Sequence, residues 1–305
     1  MKPTLKKILS LISASLIGLY SVGMCSYELS KRGLSRPERR DYEVAISLHN
    51  HTPFLKSADA GLEELVECAF KQDIDILALT DANSEENFYH LKDKYSGVLS
   101  GYNVQDLGSV LKISKISDSE DVIYILAGYE FHRPSGHILI IGQNCRINLD
   151  CKSTSEDAIL AGKNSGAIVI IPHPFVTSWN VGGVGEDKLK ELYNEVDAIE
   201  SFNAQAVCIY PIIADLHQAN LKASNFCEEL KVPGVSNSDS HIASHVGLSY
   251  ILVDKSKIDF SSGEAIVNSL RNVIRSGEFR NYERYASWFE TVRWAAISRI
   301  LSRKR

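Results

Sequence analysis

The chain has 305 residues, of which 44% are hydrophobic and 23% are charged, a composition typical of globular proteins. Its formal net charge of −5 provides no broad basic surface, so a nucleic-acid polymer is not an expected partner. None of the six cysteines belongs to a Cys-x-x-Cys pair, which argues against a thiolate zinc site. The length fits one large α/β barrel or two medium domains.

Residues 1–40 differ from the rest of the chain. Three lysines precede a stretch without charged side chains, residues 8–27, and several basic residues follow it up to Arg40. This pattern predicts a signal peptide or a retained membrane anchor followed by a basic linker; a hydrophobic helix packed on the domain is the alternative. The protein would then be anchored in a membrane through this segment, or exported. The basic residues favour a cytoplasmic barrel but do not settle the side of the membrane.

Strand-like and helical patterns alternate from residue 41 to residue 283. Strands are predicted at 44–48, 74–79, 122–127, 137–141, 167–171, 196–199, 235–238 and 249–253. Helices are predicted at 61–71, 153–164, 186–194, 211–230 and 263–276. Residues 97–121 are polar and rich in Ser and Asp, which predicts a surface insertion. Repeated β-then-α units predict a barrel or an open parallel sheet.

The last segment, residues 284–305, has a different pattern. Apolar residues recur at helical spacing from Tyr285 to Ile300, and the positive charge increases toward Arg305. We expect a basic amphipathic helix that either packs on the barrel or lies on a membrane surface.

Two histidines, His49 and His51, follow the first predicted strand. Side chains two residues apart on an extended segment point to the same side, so the two imidazoles can converge on one point. Neutral imidazoles are common metal ligands. A single His-x-His pair is nevertheless a weak signal, because ordinary surface histidines also occur at this spacing.

Further residues with metal-binding side chains lie at the ends of the later strands. They are Asp81, Glu130, His137, His173, Glu200, Asn203, Asp239 and His241. In parallel α/β folds the carboxyl ends of the strands share one face, where binding sites form. His137 begins a strand instead of ending one, so it requires a hairpin after Glu130. The pattern predicts a polynuclear metal site, and its mixed His and carboxylate ligands favour zinc, manganese or iron.

The chain resembles the polymerase and histidinol phosphatase (PHP) domain in an ordered set of motifs over about residues 44–255. The motifs are Leu48-His49-Asn50-His51-Thr52, Leu79-Thr80-Asp81, Gly128-Tyr129-Glu130, Gly136-His137, Pro172-His173-Pro174, Ile199-Glu200 with Asn203, and Asp239-Ser240-His241. The resemblance implies a distorted (β/α)7 TIM-like barrel with two or three divalent metal ions at the carboxyl ends of the strands. Residues 128–142 and the segment after Ser249 also resemble the branch of the family that hydrolyses carbamate esters.

The resemblance also implies roles for individual residues. The first metal ion would be bound by residues from the first and last strand ends: His49, His51 and Asp239. The second would be bound by residues from the middle of the chain: Glu130, His137 and His173. Glu130 would bridge the two ions. Glu200 and Asn203 would support the ligands or face the substrate.

A third metal site is expected to be weak or absent. Members of the family usually have Thr-Asp-His after the second strand, whereas this chain has Thr80-Asp81-Ala82, and alanine cannot bind a metal ion. His241 would belong to this third site. Asp59 is a candidate partner, and Asp81 or His132 is a candidate replacement for the missing histidine. We therefore expect two metal ions, with a third only if one of these residues compensates.

The expected activity is that of a metal-dependent phosphoesterase acting on a small phosphorylated molecule or nucleotide. A metal-bridging hydroxide would be the nucleophile, since a bound metal can lower the pKa of water to about 7. His241 and Asp239 are the candidate catalytic residues, and His241 would hold the phosphate or protonate the leaving group. The alternatives are a carboxylester or amide hydrolase and, because of Ala82, a non-catalytic PHP domain. The sequence does not identify the substrate.

Overall fold

Eleven strands and six α-helices make up the part of the chain that the computed structural model describes, residues 38–53, 58–176, 182–206 and 217–287. The strands are β1 (Glu43–Ser47), β2 (Ile76–Leu79), β3 (Tyr102–Asp106), β4 (Val110–Lys115), β5 (Val122–Phe131), β6 (Ile138–Ile141), β7 (Ile168–Ile171), β8 (Ala198–Asn203), β9 (Gly234–Asn237), β10 (Tyr250–Asp254) and β11 (Arg280–Tyr282). The helices are α1 (Ala58–Lys71), α2 (Glu86–Val98), α3 (Ser155–Asn164), α4 (Gly185–Leu192), α5 (His217–Leu230) and α6 (Gly263–Ser276).

The strands form a nearly closed barrel. Their order in the sheet is β11-β10-β1-β2-β5-β6-β7-β8-β9, and the β3–β4 hairpin is attached to β5. Strands β1, β2 and β5 are parallel, β6 is antiparallel to both of its neighbours, and β7, β8 and β9 are again parallel. Strand β9 returns to β1, where Leu48 donates its N–H to Oδ1 of Asn237 at 3.0 Å. This architecture confirms the predicted α/β class and the TIM-like barrel.

Side chains alternate along each strand, so successive residues pack into two different hydrophobic cores. Residues such as Ile46 and Ile170 lie inside the barrel, where α6 contributes Ile266 and Leu270 to the same cluster. The intervening residues face the outer helices. This alternation follows from the period of two in a strand. It continues to the carboxyl end of β5, so the side chain of Glu130 continues the inward-facing row at the mouth of the barrel.

The predicted surface insertion at 97–121 is wrong in its central part. Residues 102–115 form the β3–β4 hairpin, and β4 pairs antiparallel with β5. Three of its residues, Val110, Leu111 and Ile113, are completely buried. Apart from Val110-Leu111, the apolar residues of this hairpin stand singly between polar ones, so they do not form an apolar run in a segment rich in Ser and Asp. Helix α2 and strand β11 were likewise not predicted from the sequence.

The predictions for the two ends of the chain stay predictions. Residues 1–37 and 288–305 lie outside the described part, and so does the first part of the helix predicted at 211–230. Residues 284–287, the first four of the predicted C-terminal helix, have no regular secondary structure. In the described part of the chain, no helix combines the length and the apolar character that crossing a membrane requires.

Asn50 closes the ring between the first and last strands. Its Oδ1 accepts from Oγ of Ser240 at 3.0 Å, and its Nδ2 donates to the carbonyl oxygens of Ser47 and Ala78, both at 3.2 Å. Its backbone pairs in parallel with Ser240. The side chain is fully buried, so these partners have no access to water if it is removed.

Replacing Asn50 with alanine should lower the free energy of unfolding by about 2–4 kcal/mol, because several buried polar groups lose their partner and each costs about 1–3 kcal/mol. Urea unfolding of the full chain measures this difference. The matched control is Asn148→Ala at an exposed position, which should change stability by no more than about 0.5 kcal/mol. An equally small change for Asn50→Ala would contradict its role in closing the barrel.

Candidate metal centre

Seven residues from different strand ends converge at the mouth of the barrel. Their metal-binding atoms form four overlapping groups of three, each with all atoms within 4.8 Å of one another. The groups contain His49, His51, Glu130, His137, His173, Asp239 and His241. Each group has the spacing to hold a metal ion. These are the seven residues that were predicted from the sequence as metal ligands.

His49, His51 and Asp239 form one side of this cluster. The Nε2 atoms of the two histidines lie 3.3 Å apart, as their spacing on an extended segment requires. Oδ1 of Asp239 lies 3.4 Å from Nε2 of His49 and 3.2 Å from Nε2 of His51. All three residues are buried, so this side of the cluster has little contact with bulk water.

Glu130 lies between this side and the other histidines. Its Oε1 is 3.6 Å from Nε2 of His49, and its Oε2 is 3.7 Å from Nε2 of His51. The same carboxylate approaches Nδ1 of His137 at 2.9 Å and Nε2 of His173 at 3.5 Å. One carboxylate therefore contacts both halves of the cluster, which is the arrangement required of a bridging ligand.

The predicted hairpin after Glu130 is confirmed. Strands β5 and β6 pair antiparallel, with Phe131 opposite Ile138 and Glu130 opposite Leu139. The turn between them brings His137 back to the carboxyl end of β5. This explains how a residue that precedes its strand reaches the same face as residues that follow theirs.

Glu200 and Asn203 contact the proposed ligand residues through hydrogen bonds. Nδ1 of His49 lies 3.1 Å from Oε1 of Glu200, while Oε2 of Glu200 accepts from the backbone N–H of His173 at 2.8 Å. Nδ2 of Asn203 donates to Glu200 at 2.8 Å and to Oδ2 of Asp239 at 3.0 Å. A carboxylate behind a histidine fixes the ring's orientation and leaves the opposite nitrogen for a metal ion.

Two residues of the cluster have strained backbones. His173 has φ of 30° and Asp239 has φ of 47°, a region that non-glycine residues rarely adopt. Such strain costs about 1–3 kcal/mol and persists where the surroundings impose it, often at functional sites. Here it directs a histidine and a carboxylate toward the shared centre.

Asp81 and Asp59 are the two carboxylates expected to take part in a third metal site. Asp81 accepts three hydrogen bonds, two from the backbone and hydroxyl of Thr52 at 2.7 and 2.8 Å and one from Nδ2 of Asn87 at 2.8 Å. It belongs to none of the metal-binding groups. The side chain of Asp59 lies outside the described residues. Ala82 pairs with Glu130, so the missing histidine would have stood beside the central carboxylate.

Two histidines border the cluster on its open side. His241 stacks on His51 with ring centroids 4.3 Å apart, and its side chain is 24% exposed. His132 lies 3.5 Å from Oε2 of Glu130, its ring centroid is 3.8 Å from that of His137, and its side chain is 44% exposed. From the sequence, His132 was predicted only as a replacement ligand. Its position two residues after Glu130 indicates that the two side chains point to the same side, which places His132 beside the cluster.

The cluster also shifts the pKa values of its members. Burial alone would lower the pKa of His49, but the carboxylates of Asp239 and Glu200 outweigh burial and raise it well above the usual value. Burial would raise the pKa of Glu130, yet the surrounding imidazoles, led by His137, hold it well below the usual value. Burial lowers the pKa of His137 to about 4 and that of His241 to about 3. Without metal, Glu130 is therefore ionised at neutral pH and His49 is protonated.

Comparisons with known proteins agree with the motifs. A family model described as PHP-associated, PHP_C, matches residues 217–273, from the start of α5 into α6. Among curated proteins, the sequence gives no significant match. The resemblance to the PHP domain is confirmed by this family model together with the barrel.

Solved structures share the fold at low sequence identity. PsfC from Pseudomonas syringae is 16% identical with a TM-score of 0.54, covering 86% of this chain and 98% of PsfC. A two-domain protein from Bacteroides vulgatus, described as containing a predicted PHP-like metal-dependent phosphoesterase, is 17% identical with a TM-score of 0.50, covering 83% of this chain and 70% of the other. The lesion-specific endonuclease PfuEndoQ from Pyrococcus furiosus is 15% identical with a TM-score of 0.46, covering 78% and 57%. At these identities the first two likenesses concern the fold alone.

Metal binding should release protons at pH 7. The raised pKa of His49 means that its ring is protonated in the metal-free protein, and a metal ion must displace that proton. Affinity should therefore rise with pH until the raised pKa is passed. Calorimetric titration of the metal-free full chain with Zn²⁺, in two buffers of different protonation enthalpy, measures the release. Glu200→Gln should reduce it by removing one of the raising carboxylates. Identical binding enthalpies in both buffers would contradict the assignment.

Proposed function

We propose that the protein is a metal-dependent phosphoesterase with a two-metal centre, acting on a small phosphorylated molecule. The observation that carries the proposal is Glu130, which approaches imidazoles on both sides of the cluster through its two oxygens. Two metal ions held in such a site would supply an activated water near neutral pH and would neutralise the charge of the phosphoryl group.

The chemistry of the ligands suits transition metals. Among the described residues, the close ion-pair partners of Glu130 and Asp239 are all histidines. Burying ionised carboxylates is costly unless positive charge compensates them. Zinc, manganese or iron would provide that charge and prefer this mixture of nitrogen and oxygen ligands, whereas calcium and magnesium prefer oxygen alone.

The proposed ligands fall into two sets around the bridging Glu130. The first metal ion would be held by His49, His51 and Asp239, and the second by His137 and His173. Glu200 and Asn203 would orient the ligands and would not bind a metal ion. The absence of a histidine at Ala82 and the engagement of Asp81 in hydrogen bonds support two ions in preference to three.

His241 is proposed to carry a proton during the reaction. Its Nδ1 lies 2.9 Å from the carbonyl oxygen of Asp239, which can only accept, so Nδ1 bears the ring's proton and Nε2 keeps its lone pair. Burial lowers the pKa of His241 to about 3, so the ring is neutral at pH 7 in the metal-free protein. Nε2 can accept a proton from the attacking water and deliver it to the leaving oxygen. Of the two roles expected for His241, this proposal adopts protonation of the leaving group and not binding of the phosphate.

Replacing Glu130 with glutamine should remove at least one metal ion and lower hydrolysis of a phosphate ester about 10³-fold, since metal-based stabilisation contributes several kcal/mol. Elemental analysis of the full chain and turnover of a small phosphomonoester measure both effects. Glu186→Gln, at an exposed position, is the control and should change neither. A Glu130→Gln protein that kept two metal ions and full activity would overturn the proposal.

The same assay should include a phosphodiester, a carboxylester, an amide and a short DNA oligonucleotide. The proposal requires that a small phosphate ester be the best substrate. Turnover of the carboxylester or amide alone would instead identify a different hydrolase, and turnover of the oligonucleotide alone would identify a nuclease. A protein that binds metal but hydrolyses none of these would support the non-catalytic alternative.

Replacing His241 with asparagine separates its two candidate roles. If His241 carries a proton, the variant should keep its metal content and lose about 10²–10⁴-fold in kcat, the usual contribution of acid–base catalysis. The loss should be smaller for a substrate whose leaving group needs no protonation, such as a nitrophenyl phosphate. If the variant instead binds one metal ion fewer than the wild type, His241 is a ligand and the proton-carrier role is wrong.

A further inference from the structure

A short backbone segment crosses over the ligands of the second proposed metal ion. This clamp segment, Gly182–Gly185, lies between the turn that carries His137 and the turn that carries His173. The carbonyl oxygen of Gly182 accepts from the backbone N–H of His137 at 2.7 Å. Gly185 donates its N–H to the carbonyl oxygen of Pro174 at 2.9 Å. The segment therefore joins two ligand-bearing turns that are separate in sequence.

The contact is close enough to require glycine. A Cβ on Gly182 would lie 2.4 Å from Cδ2 of His137 and 2.5 Å from the carbonyl oxygen of Arg133. A Cβ on Gly183 would lie 2.6 Å from the carbonyl oxygen of Pro174 and 2.8 Å from that of His173. All four distances are below 3.0 Å, which real Cβ atoms essentially never show. Only residues without a side chain allow the backbones to approach this closely.

The side chain of Val184 also packs closely against the turn that precedes His137. Its Cγ1 would lie 2.4 Å from a Cβ on Gly136, the residue just before His137. Gly136 also has φ of 136°, which side chains rarely permit. The turn before His137 is thus shaped on one side by its own backbone and on the other by the clamp segment.

The ligands of the first proposed ion are held by other means. His49 and His51 flank Asn50, whose side chain bonds to Ser47, Ala78 and Ser240. The backbone N–H of His51 donates to the carbonyl oxygen of Ser240 at 2.8 Å, one residue from Asp239. This network belongs to the closure of the barrel, on different strands from the clamp segment.

We propose that the clamp segment positions His137 and His173 and thereby supports binding of the second metal ion more than binding of the first. The inference rests on the proposed two-metal function. Gly182 and Gly183 are proposed as positioning residues, because the atoms they approach belong to the two ligand-bearing turns.

The Gly182 amide gives the wild-type protein an internal reporter. This N–H donates to Nε2 of His137 at 3.2 Å. A metal ion bound at Nδ1 of a neutral ring leaves the proton on Nε2, which can then no longer accept. The Gly182 amide must then lose this bond, so its ¹H–¹⁵N NMR resonance should shift when a second equivalent of Zn²⁺ binds and stay in place during the first.

Calorimetric titration with Zn²⁺ tests the inference on the full chain. For Gly182→Ala we expect the Kd of the second equivalent to rise about 10–100-fold, the usual effect of losing support behind a ligand. The first equivalent should bind as in the wild type. Gly101→Ala is the control, since a Cβ there meets no atom within 4 Å. If Gly182→Ala does not fold, Val184→Ala, which adds no volume, should weaken the second equivalent in the same direction.

Each outcome of these measurements bears on the clamp inference, on the proposed function, or on both. A wild-type protein that binds two ions while the folded clamp variants bind both normally would overturn the inference and leave the proposed function intact. Equal weakening of both equivalents would also overturn it, because the segment would then support the whole centre. A wild-type protein that binds two ions but hydrolyses no phosphate ester would contradict the proposed function without touching the clamp. Binding of fewer than two ions by the wild type would contradict both.

Discussion

The burial of ionised carboxylates among imidazoles is the constraint on which the rest of the structure depends. Glu130 and Asp239 are almost inaccessible to solvent, and their described partners are histidines and the amide of Asn203. Buried ionised carboxylates are stable only if positively charged groups lie close enough to compensate them. The barrel meets this requirement by directing each side chain from a different strand end toward one point.

Several structural features serve the same requirement. Asn50 and Asn237 close the barrel beside the first ligands, so the positions of His49 and His51 are set by the same bonds that join the first and last strands. The antiparallel strand β6 interrupts the parallel order of the sheet in order to deliver His137. The left-handed backbones of His173 and Asp239 show that local strain is accepted where a ligand must be aimed.

The sequence predicted the parts of the site that follow from local periodicity. The shared direction of His49 and His51, the hairpin before His137 and the collection of strand ends at one face all derive from the geometry of strands. The role of Asp81 could not be predicted, because it depends on contacts with Thr52 and Asn87. The β3–β4 hairpin and the clamp segment were missed for the same reason. Their burial and close approach arise only in the assembled barrel.

Anomalous X-ray diffraction from crystals of the full chain grown with Mn²⁺ or Zn²⁺ tests the two-metal centre most directly. We predict two metal peaks roughly 3.5–4 Å apart, the usual separation in two-metal sites. Glu130 should lie between the peaks, with His49, His51 and Asp239 around one and His137 and His173 around the other. A single peak, or peaks that Glu130 does not contact, would show that this carboxylate does not bridge two metal ions.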